Sequence, residues 1–242
     1  MQLSLVIPVR NEAENIEALI AEIRASLDGR VEYEAIYVDD GSSDDTPKRL
    51  AQAKKTFPRL RVLRHREPCG QSSALLTGVR AARAPWIATL DGDGQNDPAD
   101  ILKLLAALND PSAPQPLQLI AGHRRRRRDR WLKRLASRVA NGVRGRLLGD
   151  RTPDTGCGLK LIAREAYLAL PFFDHMHRFL PALIQRNGGG TLSVEVHHRP
   201  RTRGTSHYGL HNRLWAGIVD LLGVLWLKRR MKRPVTVEEP RA

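Results

Sequence analysis

Two aspartates separated by one glycine, Asp91 and Asp93, close the short apolar run of ATLDGDGQNDP (88–98), and Gln95 follows two residues later. Carboxylates leaving a strand end at i and i+2, with Gly92 adding no bulk between them, can both face one divalent cation shared with a substrate diphosphate. Magnesium and manganese are held in this way, by one or two carboxylates plus phosphates. Gln95 offers a neutral oxygen as a further ligand, and Pro98 starts the next helix. An EF-hand loop opening at Asp91 wants Gly at its sixth position and Glu at its twelfth, where the chain has Asn96 and Leu102. A DxD phosphatase of the haloacid-dehalogenase type usually shows Thr or Val where Gln95 stands. An isolated DGDG is most simply a surface turn. This one is not isolated, because PVRNE (8–12) and VDDGSSDDT (38–46) also follow apolar runs.

Those three clusters need a scaffold that brings strand ends together. Periodicity gives LSLVIPV, the amphipathic NIEALIAEIRASL, YEAIYVDD, then TPKRLAQAKKTF with Pro47 at a first helical position. The alternation continues through LRVLRH, helical SSALLTGVRAA, WIATLDGD, helical PADILKLLAAL and LQLIAG. Five near-continuous apolar strands separated by four helices predict an α/β fold: an open, mostly parallel sheet with helices on both faces. Ligands bind such sheets at the carboxyl ends of the strands, where all three clusters lie. DPSAPQP (110–116) is a turn-rich connector. Beyond residue 122 come a basic helical stretch, a turn at TPDTGCG, a helical LKLIAREAYLAL and a mixed C-terminal third. The division expected is a domain over 1–210 and an amphipathic helix with a basic tail over 211–242.

The 242 residues carry 40 basic against 26 acidic side chains, a formal charge of +14. Such an excess points to a polyanionic partner: nucleic acid, an anionic membrane surface or a phosphorylated substrate. Nucleic acid is disfavoured, because HRRRRRDR (123–130) lacks aromatic interleaving and no DNA- or RNA-binding motif is present. Cys69 and Cys157 form no disulfide framework or zinc knuckle. The six histidines between 175 and 211, in HMH and HH arrangements, lack helical ligand spacing for zinc. MQLSLVIPVRNE lacks the basic n-region of a signal peptide, so a cytoplasmic location is expected. LWAGIVDLLGVLWL (214–227), interrupted by Asp220, falls short of the roughly 20 residues of a spanning helix. On a helix from Asn212 to Arg230, Arg213, Gly217, Asp220 and Gly223 form a narrow polar stripe. That pattern suits an interfacial helix with Trp215 and Trp226 at headgroup level, and also a buried helix or a dimer contact.

The P-x-x-N-E opening, the D-D-G-S-x-D sequence and the D-x-D motif, in this order, resemble the family-2 glycosyltransferases of GT-A fold. GQSSALLTG, DGDGQNDP, GHRRRRRDRWLKR, DTGCGLK and HRPRTRGTSHYG are similar to its polyprenyl-phosphate branch, which includes dolichol-phosphate mannose synthase and bacterial relatives. The resemblance implies that Pro8, Arg10 and Glu12 border the nucleotide and that Asp39 or Asp40 binds the base or ribose. It places Asp91 at the diphosphate, Asp91, Asp93 and Gln95 on a magnesium or manganese ion, and Gly70 and Gln71 near the sugar nucleotide. Arg124 is expected on donor or acceptor phosphate, with Arg134, Arg178, Arg201, Ser206 and His207 on the acceptor side. His207 stands where the family tends to show lysine, and His177 accompanies Arg178 in the acceptor loop. Asp154 is either an acceptor-side catalytic residue beside Asp91 and Asp93 or a turn-former before Gly156.

The implied reaction is inverting transfer of one sugar from GDP-mannose or a UDP-hexose to a dolichyl or undecaprenyl phosphate. A lipid monophosphate carries about −1.5 to −2 charges at neutral pH, so its oxygen attacks without a strong general base. Implied partners are the nucleotide sugar, the lipid phosphate and an anionic membrane surface, with a membrane-protein partner or homo-oligomer as further options. The enzyme would sit peripherally on the inner face of the cytoplasmic membrane. The rival reading, transfer to a polysaccharide or cell-envelope hydroxyl, wants an ED-type catalytic carboxylate that the chain lacks. A basic binding module would need no Asp93.

Overall fold

The computed structural model describes residues 1–124, 145–150, 152–200 and 210–231, the last segment with side chains from residue 217 onward. Its centre is a seven-stranded sheet in the order β3-β2-β1-β4-β6-β5-β7. The strands are β1 (Leu3–Val9), β2 (Tyr33–Asp39), β3 (Leu60–Arg64), β4 (Trp86–Thr89), β5 (Leu117–Arg124), β6 (Lys160–Ala163) and β7 (Gly190–Val196). All are parallel except β6, which runs antiparallel to both β4 and β5. The five expected strands are present.

Two strands depart from expectation. LKLIAREAYLAL is not one helix, because its first residues form β6 and only Arg164–Leu168 are helical. A four-residue strand, KLIA, buried along most of its length carries no period that separates strand from helix. A further strand, β7, not among the five expected, lies outside β5 in parallel register from Leu117↔Gly190 to Arg124↔Val196.

Alternation along β1 divides the core. Leu3, Leu5 and Ile7 pack with Ile16, Leu19 and Ile23 of α1 (Ala13–Leu27), and this face also holds Leu50 of α2 (Thr46–Thr56) and Ile101 and Leu104 of α4 (Asp100–Ala106). Val6 faces the other way, with Ile36, Val38 and residues Ala74, Leu75 and Val79 of α3 (Gln71–Ala81). Tyr167 of α5 (Arg164–Leu168), Leu183 of α6 (Leu180–Arg186) and Val224 of α7 (Leu210–Arg230) complete that layer. Each fully buried aliphatic side chain stabilises the fold by about 1.5–3 kcal/mol. At the lower edge, buried Glu34 accepts hydrogen bonds from Ser4 Oγ (2.7 Å), Arg61 Nη1 (2.6 Å) and Arg83 N (2.8 Å).

The chain starts in β1, proceeds outward through β2 and β3, and returns to the opposite side of β1 as β4. The crevice above β1 and β4 is therefore the topological switch point where open α/β sheets bind ligands.

Candidate active site

The loops after β1 and β2 are stitched to each other. Asn11, in a left-handed conformation (φ 55°), receives Ser43 N–H on its Oδ1 at 2.9 Å and donates its own backbone N–H to Ser42 Oγ at 2.9 Å. Glu12 N–H donates to Thr46 Oγ1 at 2.9 Å, and the Asp44 carboxylate accepts from Ala13 N (3.2 Å) and Thr46 N (2.9 Å), tying the first turns of α1 and α2 together. The result is a rigid rim at one end of a cavity of about 490 Å³, to which Pro8, Arg10, Glu12 and Asp40 contribute. Arg10 is exposed and makes no ion pair among the described residues.

Asp39 and Asp40 diverge. Asp39 turns away from the cavity, accepting Ser42 N–H at 2.9 Å and facing Arg64 Nε at 3.1 Å. Asp40 accepts from Cys69 N and Gly70 N, both at 2.8 Å, and meets His65 Nδ1 at 2.7 Å, fixing the approach to α3. That segment then presents Gln71, whose Nε2 donates to Asp91 Oδ1 at 3.0 Å.

Asp91 is enclosed, and burial together with the neighbouring Asp93 charge raises its pKa, while Lys160, Arg124 and Gln71 pull the other way. Asp93 Oδ1 accepts Gln95 N–H at 3.1 Å, and Gln95 Nε2 reaches Arg199 O at 3.5 Å. Gln95 Oε1 accepts no hydrogen bond among the described residues. Gly92 is required here, since a Cβ would stand 2.5 Å from Val9 Cγ1. These residues fit a divalent cation: Asp91, whose ionisation is opposed by burial and by the neighbouring Asp93 charge, gains most from a shared cation.

The turn 154–158 forms the opposite wall through Thr155, Gly156, Cys157 and Gly158. Arg124 is not part of the cavity wall; it holds Asp154 through Nε–Oδ2 (2.7 Å) and Nη2–Oδ1 (2.9 Å). The pair is buried, with side chains 10% and 8% exposed. Burial disfavours the guanidinium, but the two-pronged bond to Asp154 outweighs it and raises the Arg124 pKa. Beside the pair, Lys160 reaches the cavity from β6 and donates to Cys157 O; burial depresses its pKa, opposed by Cys157, Asp91 and Asp154. Lys160 is the site residue that sequence reasoning missed. Its context, DTGCGLK running into LIAREAYLAL, carries no local signal that separates a buried cavity lysine from one on a helix face.

His177 and Arg178, from the segment before α6, and Leu180, its first residue, line the cavity. His175, two residues earlier, has a left-handed backbone (φ 62°) and meets Asp220 Oδ2 of α7 at 3.0 Å through Nδ1. Of the residues named from sequence, Pro8, Arg10, Glu12, Asp40, Gln71, Asp91, Asp93 and Arg178 line one cavity. Gly70 and Gln95 flank it, whereas Asp39, Arg124 and Asp154 lie outside its wall. Arg134, Arg201, Ser206 and His207 lie outside the described residues.

Comparison with known proteins bears on the family and the fold. A dodecaprenyl-phosphate galacturonate synthase of Rhizobium johnstonii is 35% identical over 97% of the chain and 69% of its own length. An undecaprenyl-phosphate 4-deoxy-4-formamido-L-arabinose transferase of Edwardsiella ictaluri is 32% identical over 86% of the chain, which spans 63% of that relative, less than two thirds. Glucosyl-3-phosphoglycerate synthase from Mycobacterium tuberculosis, solved with phosphoglyceric acid, shares the fold with a TM-score of 0.68 at 21% identity, over 94% of this chain and 79% of that one. No described helix is long and apolar enough to cross a membrane. The family model for glycosyl transferase family 2 matches residues 4–170, and the chain belongs to that family.

Proposed function

We propose that the protein transfers one sugar from a nucleoside-diphosphate donor to a polyprenyl phosphate. The observation that carries this reading is the desolvated Asp91 beside Asp93 in a switch-point cavity whose wall also presents Arg10, Lys160 and Arg178. These five ionisable side chains are thus arranged around a space suited to a diphosphate and a second phosphate. The relatives that span most of the chain carry names of polyprenyl-phosphate sugar transferases.

A magnesium or manganese ion held by Asp91, Asp93 and Gln95 would neutralise charge on the departing nucleoside diphosphate. The chain's own residues do the positioning. The stitched rim of Pro8, Arg10, Glu12 and Asp40 seats the nucleotide end, and Gln71 fixes the Asp91 carboxylate. Arg178 faces the acceptor, and Lys160 supplies a buried positive charge behind Asp91. Arg124 and Asp154 act as a buried brace that shapes the 154–158 wall. Attack by the acceptor oxygen opposite the leaving group inverts the anomeric centre, and fixed geometry rather than a general base lowers its barrier.

The helix α7 suits a lipid-borne acceptor. Val224 is buried against the domain with Leu221 and Leu225 beside it, while Ile218, Val219, Leu222 and Trp226 are exposed. Phe172 and Leu147, the other exposed large apolar side chains besides Met1 among the described residues, adjoin segments that α7 touches through His175 and Leu148. With Lys228, Arg229 and Arg230 closing the helix, this ridge is a surface for an anionic bilayer face.

The test is incubation with polyprenyl phosphate, a divalent cation and nucleotide donors carrying galacturonate, 4-deoxy-4-formamido-L-arabinose, glucose or mannose. Organic-extractable sugar with one donor supports the reading; transfer only to hydroxyl acceptors contradicts it.

A further inference from the structure

Among the described residues, the ring of His177 has a protein hydrogen-bond partner at Nδ1 alone. Nδ1 stands 2.8 Å from Ser72 Oγ, and the His177 backbone N–H donates to the same oxygen at 3.4 Å. Ser72 is fully buried in the first turn of α3, and its hydroxyl has no other partner among the described residues. A serine hydroxyl has one proton to donate. The oxygen can accept twice, but the buried hydroxyl proton itself has no acceptor among the described residues other than Nδ1, and leaving it unpaired would cost a hydrogen bond. Nδ1 is then the lone-pair nitrogen, and the ring proton sits on Nε2. Nε2 meets no protein partner among the described residues, and the side chain lines the cavity. A donor in a cavity wall with no protein acceptor is a place for a ligand oxygen.

The ring is a donor and not a proton shuttle. Burial, then the charges of Lys160, Arg178 and His175 around it, push its pKa down to about 3. A cation bound at Asp91 acts in the same direction.

Position identifies the ligand group. Ser72 follows Gln71, the residue bonded to Asp91 Oδ1, while the Pro8–Glu12 rim belongs to the loop after β1. A donor with its nucleotide at that rim and its diphosphate at Asp91 lays its sugar toward His177. We propose that His177, fixed by Ser72 as the Nε2–H tautomer, donates a hydrogen bond to an oxygen of the sugar being transferred. The inference rests on the nucleotide-sugar reading above.

The test measures binding of the nucleotide sugar and of the matching nucleoside diphosphate separately, by calorimetry on the full chain with manganese present. His177→Phe is expected to weaken the nucleotide sugar about 10-fold, the loss of one hydrogen bond, and to leave the diphosphate unchanged. His177→Gln, whose amide N–H₂ extends as far as Nε2, should restore affinity to within about threefold. Nitrogen-15 spectra of the wild type should show a protonated Nε2 and a bare Nδ1 from about pH 6 to 8, and a tautomer mixture in Ser72→Ala. Equal losses for both ligands, an effect confined to the acceptor KM, a Nδ1–H ring, or titration of the ring in that range would each overturn the assignment. Should the Phe variant not fold, the Gln variant and the spectra decide. If the wild type binds diphosphates but no nucleotide sugar, the transfer reading itself falls, and a ring found as Nε2–H then locates that failure in the ligand.

Discussion

The carboxylate of Asp91 lies directly over the α-carbon of Gly158: a Cβ built there would stand 2.0 Å from Oδ2 and 2.5 Å from Oδ1. The turn that carries Asp154 and Cys157 is thereby fitted to the D-x-D strand end, with Thr89 Oγ1 also donating to Gly158 O at 2.6 Å. Gly158→Ala must displace Asp91 from Gln71. Displacement of about 1 Å at such a site costs on the order of 100-fold in turnover, so transfer should fall by that much while circular dichroism stays unchanged. Full activity in the alanine variant would mean that Asp91 need not stand where it does.

Asp154 and Asp93 should separate under substitution. Removing Asp154 leaves Arg124 buried without its two-pronged partner, a loss of about 3–5 kcal/mol, or roughly 10 °C in Tm. Asp93→Ala instead relieves repulsion on Asp91, so its melting temperature should hold or rise while transfer drops at least ~100-fold. Equal melts for both variants would argue against the brace.

The pattern of five strands was legible because each is a continuous apolar run ended by polar or Gly-containing residues, and the three strand-end clusters followed from it. Lys160 was not legible. In sequence it is one cation in LKLIAREAYLAL, compatible with a helix face, and only the insertion of β6 between β4 and β5 buries it beside Asp91. Nor was β7, whose TLSV segment is half-exposed at a sheet edge and has no strong apolar run. On α7, Asp220 points inward to His175, a contact between residues 45 apart that no local pattern reveals.

Glu34 predicts a pH window for stability. Burial raises its pKa, but bonds from Arg61, Ser4 and the Arg83 N–H outweigh it, and the folded-state value lies below 4.5. A lowered folded pKa contributes stability above the unfolded value and loses it as pH falls through the folded one. Glu34→Gln should therefore cost about 1–3 kcal/mol at neutral pH. The difference from wild type should close as pH drops below 4.5, read by chemical denaturation at several pH values.

Exposed apolar residues on α7 make membrane attachment testable. Leu222→Asp or Trp226→Asp should reduce sedimentation with phosphatidylserine-containing vesicles by about 10-fold, since burying each side chain contributes about 1.5–3 kcal/mol. Salt should weaken wild-type attachment further through the Lys228–Arg230 cluster. Because Val224, which faces the core, is untouched, the melting temperature should not change. Undiminished vesicle binding would assign the ridge to a protein contact.

The central claim is that neighbouring carboxylates at the strand end seat a cation essential for glycolipid formation. Its most direct measurement is the rate of sugar transfer to polyprenyl phosphate after chelation and stepwise return of manganese, in wild type and Asp93→Ala. The account predicts that chelation abolishes product, that manganese restores it only in the wild type, and that both proteins stay folded throughout. Glycolipid formed at an unchanged rate in chelator, or restored equally in the alanine variant, would contradict it.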